Sequence, residues 1–445
     1  MDTQNRTPRQ HPVAVLGAGP VGLAAASHLL EQGLEPLVFE ANDGPGSTFR
    51  DVAHVRLFSP WRYNIDDAAR RLLADRAWTP PEPDALPTAG ELVTQYLEPL
   101  AGHPALAERT RYTGRVVAVT REGMDKVKSA DRAESAFVIR TRHRHGGPAE
   151  HRASAVVDTT GTWGQPNPLG ANGLPVPGED RFGGRIAYGM PDVLGRERTT
   201  YSDARVLVVG AGHSAAGTLL ALAELADAAP ATDIHWAVRG AVPERLLGTN
   251  STDDALPARG ALGERLRALV DAGRLTLHPH FPVGALETDG QRRMAVHHAA
   301  DTGTAPIRGV DRIVAATGAR PDLSLLRELR VQLDPALESA PELAPLVDPN
   351  VHSCGTVPPH GYRELVQPEP GLYIAGAKSY GRAPTFLMMT GYEQVRSIAA
   401  ALAGNTAAAE AVSLALPETG VCGGAATIPS TQPDRPGTTC CSGGA

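Results

Sequence analysis

The sequence predicts an α/β protein with two parallel-sheet units. Three observations carry that prediction. A strand–glycine turn–helix–strand unit begins at Val13 and another at Arg205, about 190 residues later. Two further short apolar runs, Ala155–Asp158 and Arg312–Ala315, read as strands. The 445 residues are 42% hydrophobic, enough to fill two or three cores at roughly 150 residues per domain.

A polar leader (residues 1–11) gives way to Val13–Leu16, which has the pattern of a buried strand. A glycine turn and an Ala- and Leu-rich helix reach about Gln32, and Pro36–Glu40 closes the first βαβ unit. Residues 43–87 read as irregular, rich in aromatics, Arg and Pro, before a helix over Ala89–Leu100. Arg115–Thr120, Ala136–Arg142 and Ala155–Asp158 read as short strands. In the second unit Arg205–Val209 leads into the glycine turn and Asp233–Val238 closes it. A helix over Leu262–Ala272 and strands at Leu275–His278, Met294–His297 and Arg312–Ala315 follow. Tyr373–Ala375 is the last strand and Tyr392–Leu402 the last helix. From residue 406 onward, Ala, Gly, Thr and Pro without periodicity predict a mobile tail.

The first glycine turn is Gly17-Ala18-Gly19-Pro20-Val21-Gly22. In such a fingerprint Gly17 makes the tight turn, Gly19 lets a pyrophosphate approach the backbone, and Gly22 lets helix pack on strand. The phosphates then face a helix N-terminus, whose free N–H groups and dipole favour anions. Glu40 ends the second strand 23 residues after Gly17, where a carboxylate can accept hydrogen bonds from a ribose. The second turn, Gly210-Ala211-Gly212-His213-Ser214-Ala215, has Ala at the third small position, and its closing strand runs into Arg239 instead of an acid. A guanidinium there suits a 2′-phosphate, so NADPH is expected over NADH.

Two dinucleotide sites in one chain imply a flavin reduced by a nicotinamide. Over residues 13–405 the sequence resembles the flavin-containing monooxygenase-like flavoproteins, which carry two Rossmann-like dinucleotide-binding domains. Val156-Val157-Asp158-Thr159-Thr160-Gly161 and Ile313-Val314-Ala315-Ala316-Thr317-Gly318 are similar to that family's linker strands. Gly371-Leu372-Tyr373-Ile374-Ala375-Gly376 is similar to its final flavin-binding strand, with Ala377 where many relatives have Asp. The resemblance implies an FAD domain over residues 12–197 and 320–405, with an NADPH domain inserted at 198–319 and a Cys-containing tail at 406–445. It implies FAD contacts around Leu57, Phe58, Ser59, Trp61, Val117, Thr160, Gly161, Gly376, Ala377, Ser379, Thr390 and Gly391, with Thr317 and Gly318 at the crossover. Lys378 is expected to polarise the flavin, and Arg56 or Tyr380 to line the oxygen pocket.

The chemistry expected from the resemblance is NADPH-driven oxygen insertion through a C4a-peroxyflavin into a small nucleophilic substrate. The family's F-x-G-x-x-x-H signature is met by Phe182-Gly183-Gly184-Arg185-Ile186-Ala187-Tyr188 except at its last place. Disulfide reduction needs a dithiol such as C-x-x-C, and no Cys precedes Cys354. Cys422, Cys440 and Cys441 near the end form a soft-ligand set for As(III) or a similar ion. Ser379–Phe386 is similar to a segment of family members associated with arsenic resistance, which makes an arsenical a candidate substrate. Two alternatives stand beside this: an NADPH oxidase or reductase serving a thiol-bound metalloid or a protein acceptor, and a soft-metal-binding redox sensor. His278, His280, His297 and His298 read as surface residues, because adjacent side chains on a strand point to opposite faces.

A net charge of −7 argues against a nucleic-acid partner, which would require a basic face. Arg6 and Arg9 precede the apolar stretch Val13–Leu30 as in a secretory signal, but Gly17, Gly19, Pro20 and Gly22 interrupt it. With four Cys and no membrane-length apolar run, the expectation is a cytoplasmic protein without a disulfide framework.

Overall fold

A computed structural model describes residues 11–144, 146–242, 257–290, 292–300, 302–351, 357–384 and 386–414. The first sheet is parallel, formed by β1 (Val13–Leu16), β2 (Pro36–Phe39), β3 (Thr110–Arg111), β7 (Ala155–Asp158) and β16 (Leu372–Ile374), in the order β16-β7-β1-β2-β3. β1 and β7 are buried along their whole length, as strands covered on both faces must be, which is why they read as unbroken apolar runs. Register places Leu16 opposite both Phe39 and Asp158. Gly17, Glu40 and Thr159 therefore emerge together at the carboxyl edge of the sheet, where open α/β sheets bind ligands.

The second sheet repeats the plan with β8 (Ile186–Tyr188), β9 (Arg205–Val209), β10 (Asp233–Ala237), β11 (Thr276–His278) and β15 (Arg312–Ala315), in the order β11-β10-β9-β15-β8. Its edge strand β8 comes from residues before 198, pairing in parallel with β15. Two antiparallel sheets flank these. One is β4 (Gly114–Arg121), β5 (Phe137–His143) and β6 (Pro148–Ala153); the other is β12 (Val283–Thr288), β13 (Met294–His298) and β14 (Ile307–Val310).

The helix Pro20–Glu31 starts with Pro at its first turn, where a missing N–H costs nothing, and its apolar side packs on the last long helix, Met388–Leu402. The second glycine turn opens the helix His213–Ala228. Beneath β5, Arg121 and Arg132 converge on the buried Glu369 at 2.8 and 2.7 Å, tying the antiparallel sheet to the segment before β16.

Several stretches depart from the sequence reading, among them the unexpected strands β3, β6, β8, β12 and β14. Asp67–Leu73 is a helix inside the segment expected to be irregular; Asp66 caps it, accepting from the Ala69 N–H at 2.9 Å. The helix expected over Ala89–Leu100 is interrupted by a π turn at Val93–Leu97. Thr406–Glu410, expected in the tail, is a short helix fixed by Asn405 and by the Ser397 hydroxyl donating to Ala409 O at 2.7 Å. Among the described residues no helix is long and apolar enough to cross a membrane, and no cluster of His, Cys, Asp and Glu is arranged to hold a metal ion.

Candidate functional site

Both glycine turns have the geometry their spacing predicts. Gly17 adopts φ +98° and Gly210 φ +137°, conformations that L side chains rarely take. A Cβ on Gly22 would lie 2.0 Å from Gly17 O, so the first helix can sit down on the turn only because that atom is missing. Around Gly19 and Gly212, by contrast, nothing lies within 4 Å of where a Cβ would be. The close contacts that make the turns are thus satisfied while the backbone meant to meet phosphate is open, and the residues fit a dinucleotide at each place.

Glu40 is buried at the end of β2; its Oε2 accepts from the Ala18 N–H at 3.0 Å and its Oε1 from the Asn42 N–H at 2.9 Å. The carboxylate therefore braces the first turn as well as facing its edge. Arg239 is exposed just beyond β10. Val117 falls at a β-bulge, where the register with β5 shifts between Val116 and Ala118. Thr317 donates its hydroxyl to Asn167 O at 2.6 Å, while the Asn167 N–H donates to Gly318 O at 2.9 Å. The two chain crossings are thereby stapled side by side, with Thr160 and Gly161 on the approach to the first of them.

Along the start of the second glycine helix lies a cavity of about 860 Å³. The loop before Trp61 supplies Arg56, Leu57, Phe58 and Ser59, and the second glycine helix supplies His213 and Ser214. Phe58 meets His213 edge-on, with ring centroids 5.4 Å apart. Met190–Leu194 and Phe386–Met388 complete the wall. Asp192 in that wall is held below the usual carboxylate range, chiefly by the backbone N–H of Arg196. The Arg56 guanidinium donates to Leu86 O at 2.5 Å and is exposed.

Other expected site residues lie elsewhere. Trp61 is buried in the core beside the first sheet. Lys378 does not face the cavity: its ammonium lies 2.6 Å from Asp158 Oδ2 and 2.9 Å from the Thr160 hydroxyl, with both charged side chains wholly buried. Tyr380 is buried between His360 and Phe386, and burial pushes its phenol well above its ordinary pKa. Around Gly376, Gln394 Oε1 accepts from the Gly376 N–H at 2.8 Å, and Gln394 Nε2 reaches the Ser379 hydroxyl at 3.0 Å and His360 Nε2 at 2.9 Å. His360 Nδ1 meets Pro358 O, which fits a neutral ring, and burial holds its pKa below the ordinary value. Ala377 lies in the same turn. Thr390 is buried, and a Cβ on Gly391 would come within 2.7 Å of Val21 and 2.8 Å of Phe386. Tyr188, at the place of the family's His, gives its hydroxyl to Glu179 at 2.6 Å; burial and that carboxylate raise its pKa. Cys354, Cys422, Cys440 and Cys441 lie outside the described residues.

Sequence reasoning missed Asp158 as the partner of Lys378, Gln394 as the clasp of the last glycine turn, and the Met190–Leu194 wall. None has a periodic or spacing signal, since each is defined by a partner distant in the chain. Asn64, also in the wall, belongs to no motif of the sequence.

Two open glycine turns at the edges of two parallel sheets define a fold with two dinucleotide-binding units. The chain belongs to the pyridine nucleotide-disulphide oxidoreductase family, whose model matches residues 14–353. Its two glycine turns fit FAD and NADPH as the bound dinucleotides. Flavin-containing monooxygenase 1 of Homo sapiens is 29% identical over 229 residues, which span 48% of this chain and 38% of that protein. Among solved structures, a bacillithiol disulfide reductase from Bacillus cereus superposes with a TM-score of 0.65 at 21% identity, over 88% of this chain and 99% of that one. A flavin-containing monooxygenase from Stenotrophomonas maltophilia gives 0.53 at 21% identity, over 89% and 98%. At these identities the structural likeness concerns the fold.

Proposed function

We infer that the chain is an NADPH-consuming flavin monooxygenase that oxygenates a small, soft nucleophile at nitrogen, sulfur or trivalent arsenic. The observation that carries this reading is the pair of open glycine turns in one chain, with a cavity along the second glycine helix, combined with a sequence that has no Cys before position 354 to build a dithiol there. A bound flavin would supply hydride acceptance and oxygen activation. The chain's own part is binding, orientation and dryness. Gly17, Gly19 and Gly22 with Glu40 hold the FAD end, Gly210, Gly212 and Ala215 with Arg239 hold the NADPH end, and Phe58 and His213 meet where the two approach. Leu57, Phe58, Phe386 and Met388 keep water from the wall. In this assignment residues 12–197 and 320–405 serve FAD and 198–319 serve NADPH, while the tail thiols Cys422, Cys440 and Cys441 deliver a metalloid substrate.

The test supplies the holoenzyme with NADPH, ¹⁸O-labelled oxygen and a panel containing a tertiary amine, a thioether and a trivalent organoarsenical. One labelled product per NADPH consumed supports the reading. Recovery of all the electrons as hydrogen peroxide, with no labelled product from any class, sinks it.

A further inference from the structure

Asn64 stands in the cavity wall with no task in the function described above. It follows the Trp61–Tyr63 turn and is 0% exposed. Its Nδ2 donates to two backbone carbonyls, Ser59 O at 2.6 Å and Pro60 O at 3.1 Å. Both partners are acceptors, so the amide has one orientation; a flip would set Oδ1 against two carbonyl oxygens. Its backbone is engaged as well, the N–H donating to Trp61 O at 2.9 Å and the carbonyl accepting from the Tyr392 hydroxyl at 2.8 Å. Oδ1 is left without a hydrogen-bond partner among the described residues. Other buried side-chain atoms in that state, on Asn167, Ser339 and Tyr380 among others, belong to residues outside the cavity wall.

A buried acceptor without a donor carries a desolvation cost that a bound molecule recovers by supplying one. The cavity wall holds apolar groups such as Leu57, Phe58 and Met388 together with the charged Arg56, Asp192 and Glu224. By itself a neutral amide oxygen offsets the desolvation of a neutral N–H but not that of a full positive charge. We propose that Asn64 is a specificity-determining residue of this cavity, its Oδ1 accepting a hydrogen bond from a neutral N–H of the molecule bound there. The proposal rests on the reading that oxidised molecule and nicotinamide meet in this cavity. The N–H then belongs either to a secondary amine or amide undergoing oxidation, or to the nicotinamide carboxamide.

Two paired comparisons on the FAD-loaded wild type, Asn64→Ala and Asn64→Asp distinguish the sources. N-methylaniline and N,N-dimethylaniline, which differ by one N–H, are compared by half-saturation in NADPH oxidation. NADP⁺ and its 3-acetylpyridine analogue, which lacks the carboxamide N–H, are compared by titration of the flavin absorbance. The expected result is a wild-type preference of about tenfold for the N–H member of one pair. Asn64→Ala abolishes that preference, and Asn64→Asp, which keeps an oxygen in place, retains part of it. Preference in the aniline pair assigns the oxidised molecule, and preference in the dinucleotide pair assigns the nicotinamide. A purely structural Asn64 weakens both members of each pair alike, because both variants lose the bonds to Ser59 and Pro60, and that outcome overturns the proposal. An absence of preference in both wild-type pairs overturns it without recourse to a variant. The titration needs no turnover, so a failure to oxygenate amines would count against the monooxygenase reading and leave the dinucleotide comparison intact.

Discussion

Lys378 and Asp158 meet at 2.6 Å with neither side chain exposed, and the Thr160 hydroxyl bonds both charged groups. Removing one partner leaves the other charge buried and unpaired. Asp158→Asn should therefore cost about 3–5 kcal/mol in a denaturant titration, and the double variant Asp158→Leu/Lys378→Met should cost clearly less than the two single changes together. Equal sums would show that the two groups act independently. Arg239 is the opposite kind of residue, exposed and read from sequence alone. Charge-assisted hydrogen bonds to a 2′-phosphate are worth about 1.5–3 kcal/mol. Arg239→Ala should therefore lower the ratio of kcat/KM for NADPH over NADH by roughly ten- to a hundredfold. An unchanged ratio would move cofactor selection to another residue.

At the scale of elements, the helix Met388–Leu402 lies against Pro20–Glu31 through the missing side chain of Gly391. Gly391→Ala would set a methyl 2.7 Å from Val21 and 2.8 Å from Phe386, forcing apart the first glycine helix and the cavity wall together. We expect a loss of about 1–3 kcal/mol in stability and weaker FAD retention, read from the flavin fraction eluting with the protein. Full retention and an unchanged melt would mean that the two helices adjust freely. The elements at this contact were legible because both glycine turns and their buried strands are local patterns: β1, β7, β9 and β15 need no distant partner to be recognised. β3, β6, β8, β12 and β14 are short or half-exposed and become strands only through pairing, so no local pattern announced them. The same limit governed the site. Gly17, Glu40 and His213 follow from position along the fingerprints, and Phe58 from the family resemblance. The burial of Lys378 depends on Asp158, 220 residues away, and nothing in either neighbourhood encodes it.

Across the whole molecule, acid should act in two separate windows. His151 on β6, His278 on β11 and His360 beside the last glycine turn all have pKa values held below the ordinary one, in each case chiefly by burial. These rings are neutral in the fold but take up protons in the unfolded chain below a pH of about 6.5. The stability they contribute is thus fully present above that pH and falls as pH drops through it towards the folded values. The carboxylates act lower. Arg152 lowers Glu122 directly. Burial is the largest single influence on Asp233 and Glu369 and opposes their ionisation, but Arg205 and His235 together outweigh it in the first, and Arg132, Arg121 and the Arg330 N–H together outweigh it in the second. Their contribution is held above a pH of about 4 and lost below it. Urea midpoints of the holoenzyme should therefore be level between pH 8 and 7, decline between about 6.5 and 5, and fall again below about 4. His278→Gln should make the first decline shallower without removing it, since His151 and His360 remain in other parts of the fold. Midpoints that stay level or rise from pH 7 to 5 would mean that burial of these three rings does not govern the protein's acid response.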